Sequence, residues 1–156
     1  MQNLIRKYNR GIDRESTTLG MTFGVFDLFH IGHLRYLNYS KGLADHLCVG
    51  IDSDFHTKFR KGVNRPICDE SHRMEIVGNL NSVDSTFLIR DADYLYDFIG
   101  YVRPDIIILS ETTDNAPEFI SHCEKNCSEL YMLPAQSEIT TSGIIKRVVH
   151  LSQIGK

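Results

Sequence analysis

The feature that most limits what this chain can fold into is the alternation of short apolar runs with longer segments of helical period. Met21 to Val25, His46 to Ile51, Ser85 to Ile89, Asp105 to Leu109 and Glu129 to Leu133 are runs of strand length bounded by turn residues. Between them stand helical segments. Ile31 to Lys41 carries Leu34, Tyr36 and Leu37 and stops at Gly42. A second helix starts near Asp69 as N-cap and carries Met74, Ile76, Val77 and Leu80. Ala92 to Tyr101 ends before Pro104, Ala116 to Lys125 forms a fourth helix, and a last one runs from Thr141 to Leu151. Strands alternating with crossover helices predict an α/β fold with a parallel five-stranded sheet and helices on both faces.

A chain of 156 residues suits one core, and no linker, repeat or low-complexity tract divides it. Residues 1–20 read as an N-terminal extension and residues 21–156 as a single domain. The start is polar and charged, and nowhere do ~18 apolar residues run together, which predicts a cytoplasmic protein without membrane insertion. The formal net charge of −3, with signs interspersed, offers no basic stripe for a nucleic acid and favours a small-molecule substrate. Cys48, Cys68, Cys123 and Cys127 are scattered and no second Cys/His pair completes a zinc site, so free thiols in a reducing compartment are expected.

One long stretch, Asp52 to Cys68, reads as irregular, with Gly62 and Pro66 to break regular structure. It holds Lys58, Arg60, Lys61 and Arg65. A cationic loop after a strand lies where an open α/β sheet places its ligand contacts, at the carboxyl ends of the strands.

The chemistry concentrates in Gly24-Val25-Phe26-Asp27-Leu28-Phe29-His30-Ile31-Gly32-His33, where the first strand gives way to the first helix. A helix N-terminus there presents free N–H groups and a positive dipole end to a phosphate chain. His30 and His33, three residues apart, stand on one side of a helical turn, and Gly32 lets a ligand approach the backbone. Two imidazoles so placed suit attack by a phosphate oxygen on the α-phosphorus of a nucleotide, a step that needs positioning and cations more than a covalent nucleophile. The plainer reading is that the pair caps or flanks the helix.

The signature Gly-x-Phe-Asp-x-x-His-x-Gly-His after a first strand resembles the cytidylyltransferase-like nucleotidylyltransferases, a family that includes glycerol-3-phosphate cytidylyltransferase and the adenylyltransferase domain of ADP-heptose synthase. Two further blocks are similar to that family: Lys61-Gly62-Val63-Asn64-Arg65-Pro66-Ile67 with the following Arg73-Met74-Glu75-Ile76-Val77, and Ile139-Thr140-Thr141-Ser142-Gly143-Ile144-Ile145 at the start of the last helix. Class I aminoacyl-tRNA synthetases also carry His-x-Gly-His, but they are far longer and have a Lys-Met-Ser-Lys-Ser-like element that this sequence lacks.

The resemblance implies a Rossmann-like nucleotidyltransferase that joins a nucleoside monophosphate to a small phosphorylated acceptor, works with Mg²⁺ and forms a homodimer. It implies that His30, His33 and Lys61 are catalytic and that Thr22, Phe23, Gly24, Asp27, Gly32, Lys58, Arg73, Thr140, Thr141 and Ser142 bind the nucleotide. No protein ligand is assigned to the metal. Each role has a structural alternative: Asp27 anchors the turn, the lysines form a solvated face, and the Thr-Thr-Ser element caps its helix.

Two departures from the family pattern bear on the substrate. Ser110-Glu111-Thr112-Thr113-Asp114 replaces a glycine-aspartate element near the nucleotide, and Ala135-Gln136-Ser137-Glu138 lacks the arginine typical of cytidylyltransferases. Gly-Val-Phe-Asp-Leu-Phe-His is closer to the cytidylyl side, so CTP with a phosphorylated polyol or amino alcohol is the expected pair. Adenylyl transfer from ATP to a sugar 1-phosphate is the alternative. A nucleotide-binding module without turnover is the reading of another class.

Overall fold

A computed structural model of the chain describes residue 13, residues 15–113 and residues 115–154. Most of the segment read as an N-terminal extension, residues 1–12 and 14, lies outside the described residues, as do Asp114 and residues 155–156. The elements run β1 (Leu19–Gly24), α1 (Ile31–Gly42), β2 (His46–Asp52), α2 (Asp54–Lys61), α3 (Glu70–Gly78), β3 (Ser85–Ile89), α4 (Ala92–Val102), β4 (Ile106–Ser110), α5 (Pro117–Asn126), β5 (Glu129–Leu133) and α6 (Thr141–Ile154).

The five strands form one parallel sheet in the order β3-β2-β1-β4-β5, a Rossmann-like arrangement. Period-two alternation divides β2 and β4 between two cores, while β1 gives its apolar residues to one. Met21, Cys48, Phe87, Ile107 and Leu109 point to one face, where Leu95, Phe98 and Ile99 of α4 and Cys123 of α5 cover them. Leu47, Val49, Ile51, Ile106 and Ile108 point to the other, against Tyr36 and Leu37 of α1 and Val77 of α3. Helices therefore lie on both faces, as the alternation requires. All four cysteines are free, and no helix among the described residues is long and apolar enough to cross a membrane.

The strand and helix ends differ from the expected ones by a few residues at most, with two differences of substance. Leu19 and Gly20, inside the segment read as an extension, belong to β1, where they pair with His46 and Leu47. The stretch from Asp52 to Cys68 is also less irregular than expected, because residues 54–61 form α2. Ser53 caps it by accepting a 3.0 Å hydrogen bond from His56 N, and Asp54 sits in the first turn, where the helix dipole favours an acid. The side chains α2 buries are His56 and Thr57, while Phe55 and Phe59 are exposed, so the usual apolar stripe is missing from the sequence.

In this strand order β1 and β4 are neighbours whose connections leave in opposite directions, and such a switch point opens a crevice at the carboxyl ends of the strands. The turn from β1 to α1, the segments after β4 and β5, and the loop after α2 all converge there.

Candidate active site

The crevice is a cleft of about 410 Å³, a size that accommodates a nucleotide. Its centre is the turn after β1. Phe26 and Leu28 adopt left-handed backbone conformations, with φ of 53° and 45°, on either side of Asp27. Each such non-glycine residue costs about 1–2 kcal/mol, so the turn persists because its surroundings hold it. Phe26 is buried in the core beside α1. The Asp27 carboxylate accepts hydrogen bonds from Ile67 N and Cys68 N, both at 2.9 Å, and Thr141 Oγ1 donates to the Asp27 carbonyl at 2.9 Å. One residue thus ties together the turn, the loop after α2 and the start of α6.

His30 is the N-cap of α1, and its Nδ1 accepts a 3.1 Å hydrogen bond from Gly32 N. That bond selects the neutral tautomer with the proton on Nε2, leaving Nε2–H as a donor. The His30 and His33 rings stack with centroids 3.8 Å apart and 23° between planes. His33 also lies against Phe26 and Phe29, with centroids at 5.4 and 5.5 Å, and its buried Nδ1 has no hydrogen-bond partner among the described residues. Burial, with lesser contributions from His30 and Lys61, lowers the His33 pKa to about 4, so the imidazole is neutral at pH 7. Burial also lowers that of His30. Gly32 leaves the His30 ring its place, since a Cβ there would stand 3.0 Å from that ring and 3.2 Å from Ser137 Cβ and would push them back by a few tenths of an ångström.

Lys61, the last residue of α2, and Arg65, on the loop behind it, bring cations to the cleft. Desolvation, then Arg60, draws the Lys61 pKa below its usual value, although the residue keeps access to solvent. Thr140, Thr141 and Ser142 line the cleft at the N-terminus of α6, where Thr140 Oγ1 accepts from Gly143 N at 3.0 Å. The capping role expected as an alternative for Thr140 and the anchoring role for Asp27 are therefore present in the geometry, together with a position on the cleft wall, while the Thr141 hydroxyl goes to Asp27 O rather than to a cap.

Of the residues singled out in the sequence, Phe23, Gly24, Asp27, His30, Gly32, His33, Lys61, Thr140, Thr141 and Ser142 line the cleft. Thr22, Lys58 and Arg73 do not. Thr22 is fully buried beneath it, 2.7 Å from the Tyr36 hydroxyl, and Lys58 is exposed on α2. Arg73 is buried, because its guanidinium donates to Val25 O (2.7 Å), Cys68 O (2.9 Å) and Asp54 Oδ1 (2.7 Å). That arginine clamps the turn and the loop rather than facing the cleft.

Several lining residues carried no assigned role in the sequence. Tyr36 was legible only as part of an apolar stripe, yet its hydroxyl donates to Ile108 O at 3.1 Å, and burial raises its pKa to about 12. Arg65 was visible as one cation among four. Ser110, Thr112, Thr113, Gln136 and Ser137 fall in the two segments that depart from the family pattern, and all five line the cleft. The departures themselves were the available signal.

The cytidylyltransferase-like family model matches residues 21–147. The chain is 37% identical over 131 residues to the bifunctional protein HldE of Citrobacter koseri, covering 82% of this chain and 27% of that protein. It is 35% identical, with the same coverage, to the protein of that name from Salmonella arizonae. The chain thus spans about a quarter of the length of the curated relatives it matches. Among solved structures, the lipopolysaccharide core biosynthesis protein of Thermoplasma volcanium is similar with a TM-score of 0.64 and 29% identity, over 80% of this chain and 100% of that one. Pantoate-beta-alanine ligase of Francisella tularensis shares the fold at 13% identity, with a TM-score of 0.63 over 90% of this chain and 67% of that one. By its sequence blocks, its strand order and these similarities, the chain belongs to the cytidylyltransferase-like family of nucleotidyltransferases.

Proposed function

We propose that this chain transfers a nucleoside monophosphate from a nucleoside triphosphate to the phosphate of a phosphorylated sugar, with release of pyrophosphate. The observation that carries the reading is the stacked His30–His33 pair at the N-terminus of α1, lining a nucleotide-sized cleft that also holds Lys61 and Arg65.

An oxygen of the acceptor phosphate attacks the α-phosphorus and forms a new P–O bond. The bond from the α-phosphorus to the oxygen bridging to the β-phosphorus breaks, and its electron pair leaves with pyrophosphate. The attacking phosphate is already an anion, so no general base is needed. Charge builds on the non-bridging and leaving oxygens. Nε2–H of His30 and the neutral imidazole of His33 donate to those oxygens, the positive end of the α1 dipole faces them, and Lys61 supplies positive charge. Mg²⁺, when bound, would be held by the triphosphate and would supply positive charge to its oxygens. The triphosphate itself supplies the oxygens, and the cleft supplies imidazoles, cations and hydroxyls around them.

ATP and a sugar 1-phosphate are the favoured pair. The relatives that carry the HldE name, the similarity to ADP-heptose synthase and the absence of an arginine at Ala135 to Glu138 support it. The second reading, CTP with a polyol phosphate, rests on Gly24 to His30, which is closer to the cytidylyl enzymes. The account includes a cytoplasmic homodimer, testable by sedimentation and fractionation.

Pyrophosphate release, measured for ATP and CTP against sugar 1-phosphates and polyol phosphates with Mg²⁺, tests the proposal. Release with ATP and a sugar 1-phosphate is expected. Release only with CTP and a polyol phosphate selects the second reading, and nucleotide binding with no release from any pair contradicts transfer.

A further inference from the structure

The cleft has two chemically different sides, and the sheet order separates them. The loop after α2 follows β2, on one flank of β1, while the segments after β4 and β5 lie on the other. The first side carries Lys61 and Arg65. The second presents Ser110, Thr112 and Thr113 with Pro134, Ala135 and Gln136, none of them charged. Hydroxyls, an amide and apolar surface suit a base and ribose; two cations suit a phosphate.

Arg65 differs from the arginines around it. Arg60 donates to Asp52 at 3.1 Å, and Arg73 is engaged by Val25, Cys68 and Asp54. Arg65 lies with Nε 3.5 Å from Asp27 Oδ2, yet Nε makes no hydrogen bond among the described residues. Asp27 already accepts from Ile67 N and Cys68 N, and both of its oxygens are used in doing so. Its charge therefore steadies the guanidinium without capping it. The Arg65 side chain is only 17% exposed, so much of its freedom is lost before any ligand arrives. Arg65 N also donates to Gly62 O at 3.1 Å, which fixes the loop that carries it.

We infer that Arg65 is the residue that binds the acceptor's phosphate group, presenting its guanidinium to two of the phosphate oxygens while the third attacks. The inference rests on the nucleotidyl-transfer reading and adds which substrate Arg65 serves. A planar guanidinium matches two phosphate oxygens in a way that a lysine ammonium does not, so charge alone does not replace it.

The test pairs kinetics with binding. Arg65→Ala should raise the acceptor KM by about 10- to 100-fold, the scale of a charge-assisted contact, with the nucleotide KM changed by less than about 2-fold; Arg65→Lys should recover part of the loss. In parallel, inorganic phosphate and glucose 1-phosphate are titrated calorimetrically into the chain saturated with α,β-methylene ATP. The wild type should bind at least one probe and Arg65→Ala should bind neither, with the nucleotide analogue held equally well by both. Nucleotide affinity falling with the acceptor's, an unchanged acceptor KM, or a wild type that binds neither probe overturns the inference. Probe binding that depends on Arg65 in a protein that releases no pyrophosphate upholds the phosphate site and removes the transfer reading alone.

Discussion

His33 sits where two demands on an imidazole conflict. Phe26 and Phe29 remove it from water, while Lys61 and His30 add positive charge beside it, so the folded protein holds it neutral with a pKa of about 4. An unfolded chain binds a proton at this position below pH 6.5, whereas the folded chain does so only near pH 4. The unfolded state therefore binds more protons within that window, and stability falls as the pH drops from 6.5 toward 4, by on the order of 3 kcal/mol from this residue. Urea unfolding at pH 7 and pH 4.5 should show a smaller acid loss in His33→Gln than in the wild type; equal losses would mean that His33 is not held neutral. At pH 7 the same variant should lose about 10²- to 10³-fold in kcat, as for removal of one transition-state donor, while its unfolding free energy changes by about 1 kcal/mol or less. Steady-state kinetics alongside the unfolding curves separates the two effects. Both histidines and Gly32 were legible as a local motif. The unpartnered Nδ1 of His33 was not, because it depends on Phe26 and Phe29 closing around the ring.

At the scale of elements, the site is an intersection of three segments distant in sequence, joined at Asp27. Its carboxylate holds Ile67 and Cys68, and its carbonyl receives Thr141. Asp27→Asn exchanges one acceptor oxygen for a donor facing a backbone N–H, so it should destabilise the fold by about 1–3 kcal/mol and raise both substrate KM values as the loop after α2 loosens. An unchanged melting temperature would show that the loop is held by other contacts. In α1, Gly32→Ala gives the opposite dissociation. Helix propensity gains about 1 kcal/mol, offset by crowding against His30 and Ser137, so stability should stay close to wild type while activity drops, read by thermal melts and turnover together. A variant with full activity would show that His30 has room to move. The sequence made α1 and α3 plain through their caps and apolar spacing, but not α2, whose buried face is His56 and Thr57. Arg73 shows the same limit: a buried arginine looks like a surface cation until Val25, Cys68 and Asp54 are seen to surround it.

For the whole molecule, strand runs alternating with helical segments were enough to specify a parallel α/β sheet, and β2 and β4 are apolar toward both faces as buried parallel strands are. Strand order was not written in that pattern, yet it determines the site, since the neighbouring placement of β1 and β4 opens the cleft between the histidine turn and the segments after β4 and β5. The departures from the family pattern were visible in the sequence, and the fold places Ser110, Thr112 and Thr113 with Ala135 to Ser137 on one side of that cleft. The central claim is that this arrangement joins two phosphates rather than merely holding a nucleotide. Phosphorus-31 NMR of the chain with Mg²⁺, ATP and a sugar 1-phosphate tests it most directly. The account predicts that the sugar phosphate resonance is replaced by a pair of coupled diphosphate resonances as an equal amount of pyrophosphate appears. Persistence of the monoester signal in that mixture and in its CTP and polyol phosphate counterparts, under conditions where the nucleotide is bound, would contradict it.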